Sequence, residues 1–175
     1  FASFLAVKEK KETAHNFCKN PLEFLHFSNI SSHVKDYNAF TEKIIEELLK
    51  VSTVWEPSAN TTKKGFQSKI NLFEDPTGKI LDLKNIVLEE LSKYYSKFKN
   101  EPCILMQKWP TESSLRSWYV ILKQQGHQSA HIHPSGWLSG VIYLKVVPSL
   151  GKDEGAIEFG FNGATYSDVS LPVKV

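Results

Sequence analysis

The apolar positions of the chain follow two different periods. From Tyr37 to Val51 they recur every three or four residues. Tyr37, Phe40, Ile44, Leu48 and Val51 fall on one stripe, with Glu42, Lys43, Glu46 and Glu47 mostly on the other side. That spacing predicts an amphipathic helix. Trp55-Glu56-Pro57 closes it, because the residue before a proline is pushed out of helical backbone. A second stripe, Ile80, Leu83, Val87, Leu91, Tyr94 and Phe98, predicts a helix over 80–98, stopped by Asn100-Glu101-Pro102. Ser58 to Lys64 is polar loop. Gly65 to Phe73 alternates, with Phe66, Ser68, Ile70 and Leu72 on one face, and predicts a strand. Asp75-Pro76-Thr77-Gly78 is a turn.

From Cys103 onward the period is two. Ile104 to Trp109, Leu115 to Leu122, Gln128 to His133, Trp137 to Val147 and Ala156 to Gly160 all read as strands. Turn signals separate them at Trp109-Pro110, Gln125-Gly126, His133-Pro134-Ser135-Gly136 and Pro148 to Gly155. Two helices followed by a run of short strands predict an α+β, mainly β chain, with the N-terminal helices packed outside a β core. Residues 1–31 read as a helix end and linker, with Lys8-Glu9-Lys10-Lys11-Glu12 as a solvated helix face. Residues 32–175 read as one barrel domain.

Composition narrows the class. At 175 residues, 41% hydrophobic and 23% charged, the chain is an ordinary globular domain. A net charge of +2 gives no electrostatic case for nucleic acid or an anionic membrane surface. No apolar run approaches the roughly 20 residues that span a bilayer. Cys18 and Cys103 form neither a disulfide framework nor a C-x-x-C motif, which fits reduced thiols and a cytoplasmic location. G-x-S-x-G elbows and glycine-rich phosphate loops are absent. The chain starts at Phe1 and stops at Val175, and both ends are expected to be cuts in a longer protein.

Candidate chemistry gathers in one place. Three of the six histidines, His127, His131 and His133, lie within seven residues. In a strand, residues at i and i+2 leave the same face about 7 Å apart. Two imidazoles so placed can converge on one metal ion. The bland alternative is a pair of surface or hydrogen-bonded histidines beside a Pro-Gly turn. His127 reads as a turn residue. Tyr143 shares a strand face with Trp137, Ser139 and Val141, and is either an ordinary aromatic or a hydroxyl that holds a ligand carboxylate.

The stretch Gln128-Ser129-Ala130-His131-Ile132-His133-Pro134-Ser135-Gly136-Trp137-Leu138-Ser139-Gly140-Val141-Ile142-Tyr143-Leu144 resembles the signature of a family of Fe(II)/2-oxoglutarate-dependent oxygenases, often fused behind tetratricopeptide repeats. Weaker matches are Phe17 to Leu22, Trp55-Glu56-Pro57, Gly65 to Ser68 with Asn71-Leu72-Phe73, Trp109-Pro110 and Gly155 to Phe159. The resemblance implies a double-stranded β-helix, a jelly-roll or cupin-like barrel. It implies that His131 and His133 are the catalytic residues and metal ligands for Fe(II). Family members more usually carry Asp or Glu at the second position. His133 is therefore either a direct ligand or a support for one; imidazole suits ferrous iron. The resemblance sets Tyr143 toward the 2-oxoglutarate carboxylate, with Gln128 and Ser139 as further cosubstrate contacts. It implies 2-oxoglutarate and O2 as partners, a peptide or small-molecule substrate, and oxidative decarboxylation to succinate and CO2 coupled to C–H hydroxylation. The distal His and the cosubstrate-binding cation are expected after Gly163-Ala164-Thr165-Tyr166, and no later histidine follows. Phe1 to Lys19 would fit the last piece of an upstream helical repeat.

Two other readings stay open. A cupin-like metal protein also carries H-x-H, but it wants Glu four or five residues later, where this chain has Trp137 and Leu138; Glu158 could supply a late carboxylate. A barrel used as a non-catalytic interaction module could line a groove with the four tryptophans. A homodimer through an exposed barrel edge is compatible with either.

Overall fold

A computed structural model of the chain describes residues 8, 9, 17, 18, 20–148, 151, 153–160 and 173–174. The chain divides into two compact units. The larger comprises His26–Lys99 and Trp109–Ser129; the other comprises Phe1–Leu25, Asn100–Lys108 and Ala130–Val175.

In the larger unit, α1 (Tyr37–Leu48) forms where its stripe predicts, burying Phe40, Thr41, Ile44 and Leu48. The Asp36 side chain caps it, accepting from the Ala39 amide at 3.0 Å. It ends well before Trp55-Glu56-Pro57, because Thr53–Trp55 forms strand β1 instead. Helix α2 (Gly78–Phe98) buries Leu83, Ile86, Tyr94 and Phe98. Its first amides are capped from outside the helix. The Glu47 carboxylate on α1 accepts from Lys79 N at 3.0 Å and Ile80 N at 3.2 Å. A carboxylate at a helix N-terminus satisfies orphan donors and the macrodipole together. Gly78 makes room for it: φ is +57°, and a Cβ there would lie 2.5 Å from Glu47 Oε1.

Strand β2 (Thr62–Ser68) starts earlier than the alternation at Gly65 suggests and ends at Ser68. It pairs antiparallel with β1 on one side and with β3 (Val120–Gln128) on the other, so the sheet order is β1-β2-β3. The ladder runs Gly65↔Leu122 and Thr62↔Gln128 with a bulge between. Gln125-Gly126, expected to be a turn, sits in that bulge, and β3 continues through it. Gln125 takes φ +61°, and a Cβ on Gly126 would meet Lys64 O at 2.6 Å, so the strands close only around glycine.

The smaller unit has less regular structure. Ile104–Gln107, expected to be a strand, is a short helix, α3. It buries Leu105 and Met106, and Cys103, at its N-cap, is buried beside them in the chain. Cys103 and Met106 lie three apart, a helical contact, and Leu and Met are good helix formers. The Leu105 amide donates to Phe17 O at 3.0 Å. The expected strand at Ala156 to Gly160 shortens to β4 (Phe159–Gly160), which pairs with β5 (Val173–Lys174). Trp137 to Val147 forms no regular strand, and the described residues show no closed barrel. The fold is thus mixed helix and antiparallel sheet. No helix among the described residues is long and apolar enough to cross a membrane. The charge run beyond Glu9 and the expected strand approach at Gly163 to Tyr166 lie outside the described residues.

Candidate functional site

β3 loses its partner where β2 begins. The last ladder contacts are Thr62↔Gln128 and a bond from Ser129 N to Thr61 O at 2.9 Å. The strand expected over Gln128 to His133 therefore does not form, since β3, arriving from Val120, ends at Gln128. His131 and His133 follow in an extended loop, before a tight turn closed by Gly136 N donating to His133 O at 3.0 Å. Pro134 lacks an amide and steers His133 away from helix.

The two imidazoles nonetheless meet. Their Nε2 atoms lie 3.1 Å apart, and the rings cross edge to face with centroids 4.8 Å apart. One nitrogen donates and the other accepts, so the pair shares a single proton between them. Burial, reinforced by the neighbouring charge of His131, pushes the His133 imidazole below its ordinary pKa. A lone pair is therefore available at neutral pH. The donor set suits a metal: two imidazole nitrogens this close could both reach one ion once the bond between them is given up. Among the described residues no third His, Cys, Asp or Glu completes the cluster.

The other residues singled out in the sequence are placed as follows. Tyr143 lies in the irregular segment after the turn and is 44% exposed, yet partial desolvation raises its hydroxyl pKa. Ser139 is exposed in the same segment. Gln128 ends β3 in the larger unit, where the sheet engages both ends of its amide. It accepts from Thr61 Oγ1 at 2.7 Å and donates to Thr62 Oγ1 at 3.0 Å. His127 is not in a turn but on β3, opposite Lys63. Glu158 is exposed beside β4. Trp137 helps order the smaller unit: its indole donates to Leu105 O at 3.3 Å and meets Phe17 edge-on. Cys18 and Cys103 are buried thiols, and burial, with Cys103 adding to it, pushes Cys18 up to about 11. That makes Cys18 a poor nucleophile.

A second polar cluster went unnoticed in the sequence. His26 and His33, outside the histidine-rich stretch, both converge on Glu90 of α2. Their seven-residue spacing was the available signal, but no motif marks the glutamate 57 residues further on.

A family model described as "Putative 2OG-Fe(II) oxygenase" matches residues 116–169. The match takes in the histidine pair, Ser139 and Tyr143, and bears out the family resemblance carried by Gln128 to Leu144. It supports an oxidoreductase of the oxygenase class and implies Fe(II) and 2-oxoglutarate for that family. No curated protein and no solved structure gives a significant match.

Proposed function

We propose that the chain carries a site of an Fe(II)- and 2-oxoglutarate-dependent oxygenase, with His131 and His133 as two of its metal ligands. The observation that carries this reading is the 3.1 Å approach of the two Nε2 atoms inside the family-matched stretch. When bound, Fe(II) supplies the redox chemistry that couples 2-oxoglutarate decarboxylation to hydroxylation of a C–H bond. The chain's own contribution is to hold and orient. The turn at Pro134-Ser135 holds the His133 carbonyl through the Gly136 amide. Depression of the His133 pKa keeps that ring neutral, and for both Nε2 atoms to ligate, the proton between them would move to Nδ1 of the donating ring. Tyr143, with a phenol that stays protonated, can donate to a cosubstrate carboxylate, and Ser139 can add a second donor. Gln128 can reach a cosubstrate only with lone pairs or amide hydrogens left over from Thr61 and Thr62. The double-stranded β-helix, with residues 32–175 as its domain behind a 1–31 linker, belongs to the same proposal. So does the cytoplasm, a compartment that suits two buried thiols.

The test is direct. The purified chain is titrated with Co(II), whose visible spectrum reports imidazole ligation, and then assayed with Fe(II), ascorbate and 2-oxoglutarate for succinate. Ligation that 2-oxoglutarate perturbs, together with succinate release, supports the reading. Absence of both overturns it and leaves a non-catalytic module.

A further inference from the structure

Where β2 ends, the chain does not leave the sheet at once. Lys69–Leu72 continues alongside Ser117–Tyr119, held by Ser68 N to Tyr119 O at 3.0 Å and Leu72 N to Ser117 O at 2.8 Å. Asn71 clips the two segments together. Its Nδ2 donates to Leu115 O at 3.2 Å, and its Oδ1 accepts from Ser117 N at 2.9 Å and Phe73 N at 3.2 Å. Arg116 is thus bracketed by bonds to the backbone on both sides. The clip borders an open cleft of about 480 Å³ within the larger unit. That size falls within the roughly 300–1,000 Å³ of small-molecule sites.

The lining has a definite chemistry. Lys69 and Arg116 both contribute to it, and no Asp or Glu does. Neither cation forms an ion pair among the described residues. In a chain with 21 cations and 19 acids, most of them interspersed, two cations sharing one concavity without a counter-ion is a local excess of positive charge. The opposite character is also present. Trp118 is 42% exposed and Ile70, next to Lys69 in the chain, is exposed as well, giving the cleft a flat aromatic surface and an apolar edge. Ser58 and Asn60 add uncharged donors. A guanidinium and an indole lining one cleft are a recognition pair for a planar molecule with an anionic end.

We infer that this cleft binds a small aromatic anion, its carboxylate or phosphate on Arg116 and Lys69 and its ring against Trp118. This goes beyond the oxygenase reading and uses none of its residues, so either can fail without the other.

The experiment is an amide and indole NMR titration of the full chain with four probes: phenyl phosphate, phenylacetate, phenol and inorganic phosphate. Saturable shifts at the Trp118 indole and the Ser117 amide are expected with at least one of the two ring-bearing anions. That probe should bind at least about tenfold more tightly than phenol or inorganic phosphate. Whichever ring-bearing anion binds tighter identifies the preferred anionic group. Arg116→Gln should weaken binding by at least about tenfold, and Lys69→Gln should weaken it as well if Arg116→Gln proves unfolded. Lys43→Gln, on α1, should leave binding unchanged. No saturable shift below about 20 mM overturns the inference. So does inorganic phosphate binding as tightly as phenyl phosphate, or equal effects of Arg116→Gln and Lys43→Gln.

Discussion

Replacing Glu90 by Gln should cost the larger unit about 2–3 kcal/mol, far more than an ordinary surface change. Glu90 Oε2 accepts from His26 Nε2 at 2.8 Å; Oε1 accepts from His33 Nε2 at 2.6 Å and Lys93 Nζ at 2.7 Å. The His33 side chain is only 5% exposed and that of Glu90 16%. The other nitrogen of His33, Nδ1, faces Glu89 Oε2 at 2.9 Å. Both ring nitrogens of His33 therefore face a carboxylate oxygen, and Lys93 Nζ lies 3.3 Å from Nε2. The cluster ties the segment His26 to His33 onto α2 through the Glu90 carboxylate. Gln keeps the shape of Glu but removes the charge. Its amide nitrogen, facing a cation or a ring N–H, turns an attraction into a clash. Each charge-assisted bond is worth about 1.5–3 kcal/mol, and Gln can still accept one bond as a neutral group. The part of the loss that reflects the exposed Lys93 is small, since pairs open to solvent contribute about 0–1 kcal/mol.

The pH dependence has a definite sign. Burial pushes the Glu90 carboxyl up, but hydrogen bonds from Lys93, His26, Ser28 and His33 outweigh it and hold the group well below the usual carboxylate range. A depressed folded pKa means stability that is complete above the unfolded value of about 4.3 and is lost as pH falls below it. Urea unfolding followed by tryptophan fluorescence should then show a full gap between the parent and Glu90→Gln at pH 7 and a smaller one at pH 3. A gap under about 0.5 kcal/mol at pH 7, or one that widens on acidification from pH 5, refutes the reasoning.

Other outcomes follow from the same structure. Gly78→Ala forces a side chain into φ +57° and against Glu47, so it should cost about 1–3 kcal/mol in urea unfolding; a neutral result would mean Glu47 does not cap α2. Ile44→Ala empties a fully buried position on α1, 0% exposed, and should cost about 2–5 kcal/mol, against less than 1 if the helix faces solvent there. His131→Ala should abolish Co(II) binding while His127→Ala, on β3, leaves it nearly intact; equal losses would sink the ligand assignment.

The helices were legible because their signal is local. An apolar stripe needs only the residues of one helix, and Phe40, Ile44, Leu48, Leu83, Tyr94 and Phe98 are buried as the stripes require. What the stripe could not show was how α2 begins. Its cap comes from Glu47, 32 residues earlier in the chain, and Thr77, the residue that sequence rules would choose, makes no side-chain cap. Strands carry less information of their own, because alternation says which face is buried and not which strand pairs with it. β1 is three residues long and left no visible pattern. β2 was displaced from its expected start because pairing with β3, bulge included, outweighs the alternation that begins at Gly65.

The histidine pair turns that distinction into an argument about the site. The expected reason for its convergence was a strand face, on which His131 and His133 would stand about 7 Å apart along the backbone. The observed reason is a loop that folds the two rings together, to 3.1 Å between nitrogens, after the ladder has run out. The motif was legible because histidine is rare and its spacing short; its geometry was not, because a loop's shape depends on where neighbouring strands stop. Thr62 ends the partner strand, Pro134 starts the turn, and the five residues from Ser129 to His133 are what is left to bend. Lengthening that span should separate the imidazoles while leaving both in the sequence. A glycine inserted after Ala130 should therefore weaken Co(II) binding about as much as His131→Ala does, with α1, α2 and the three-stranded sheet unchanged by circular dichroism. Retained binding would mean that H-x-H spacing alone, and not the loop, sets the site.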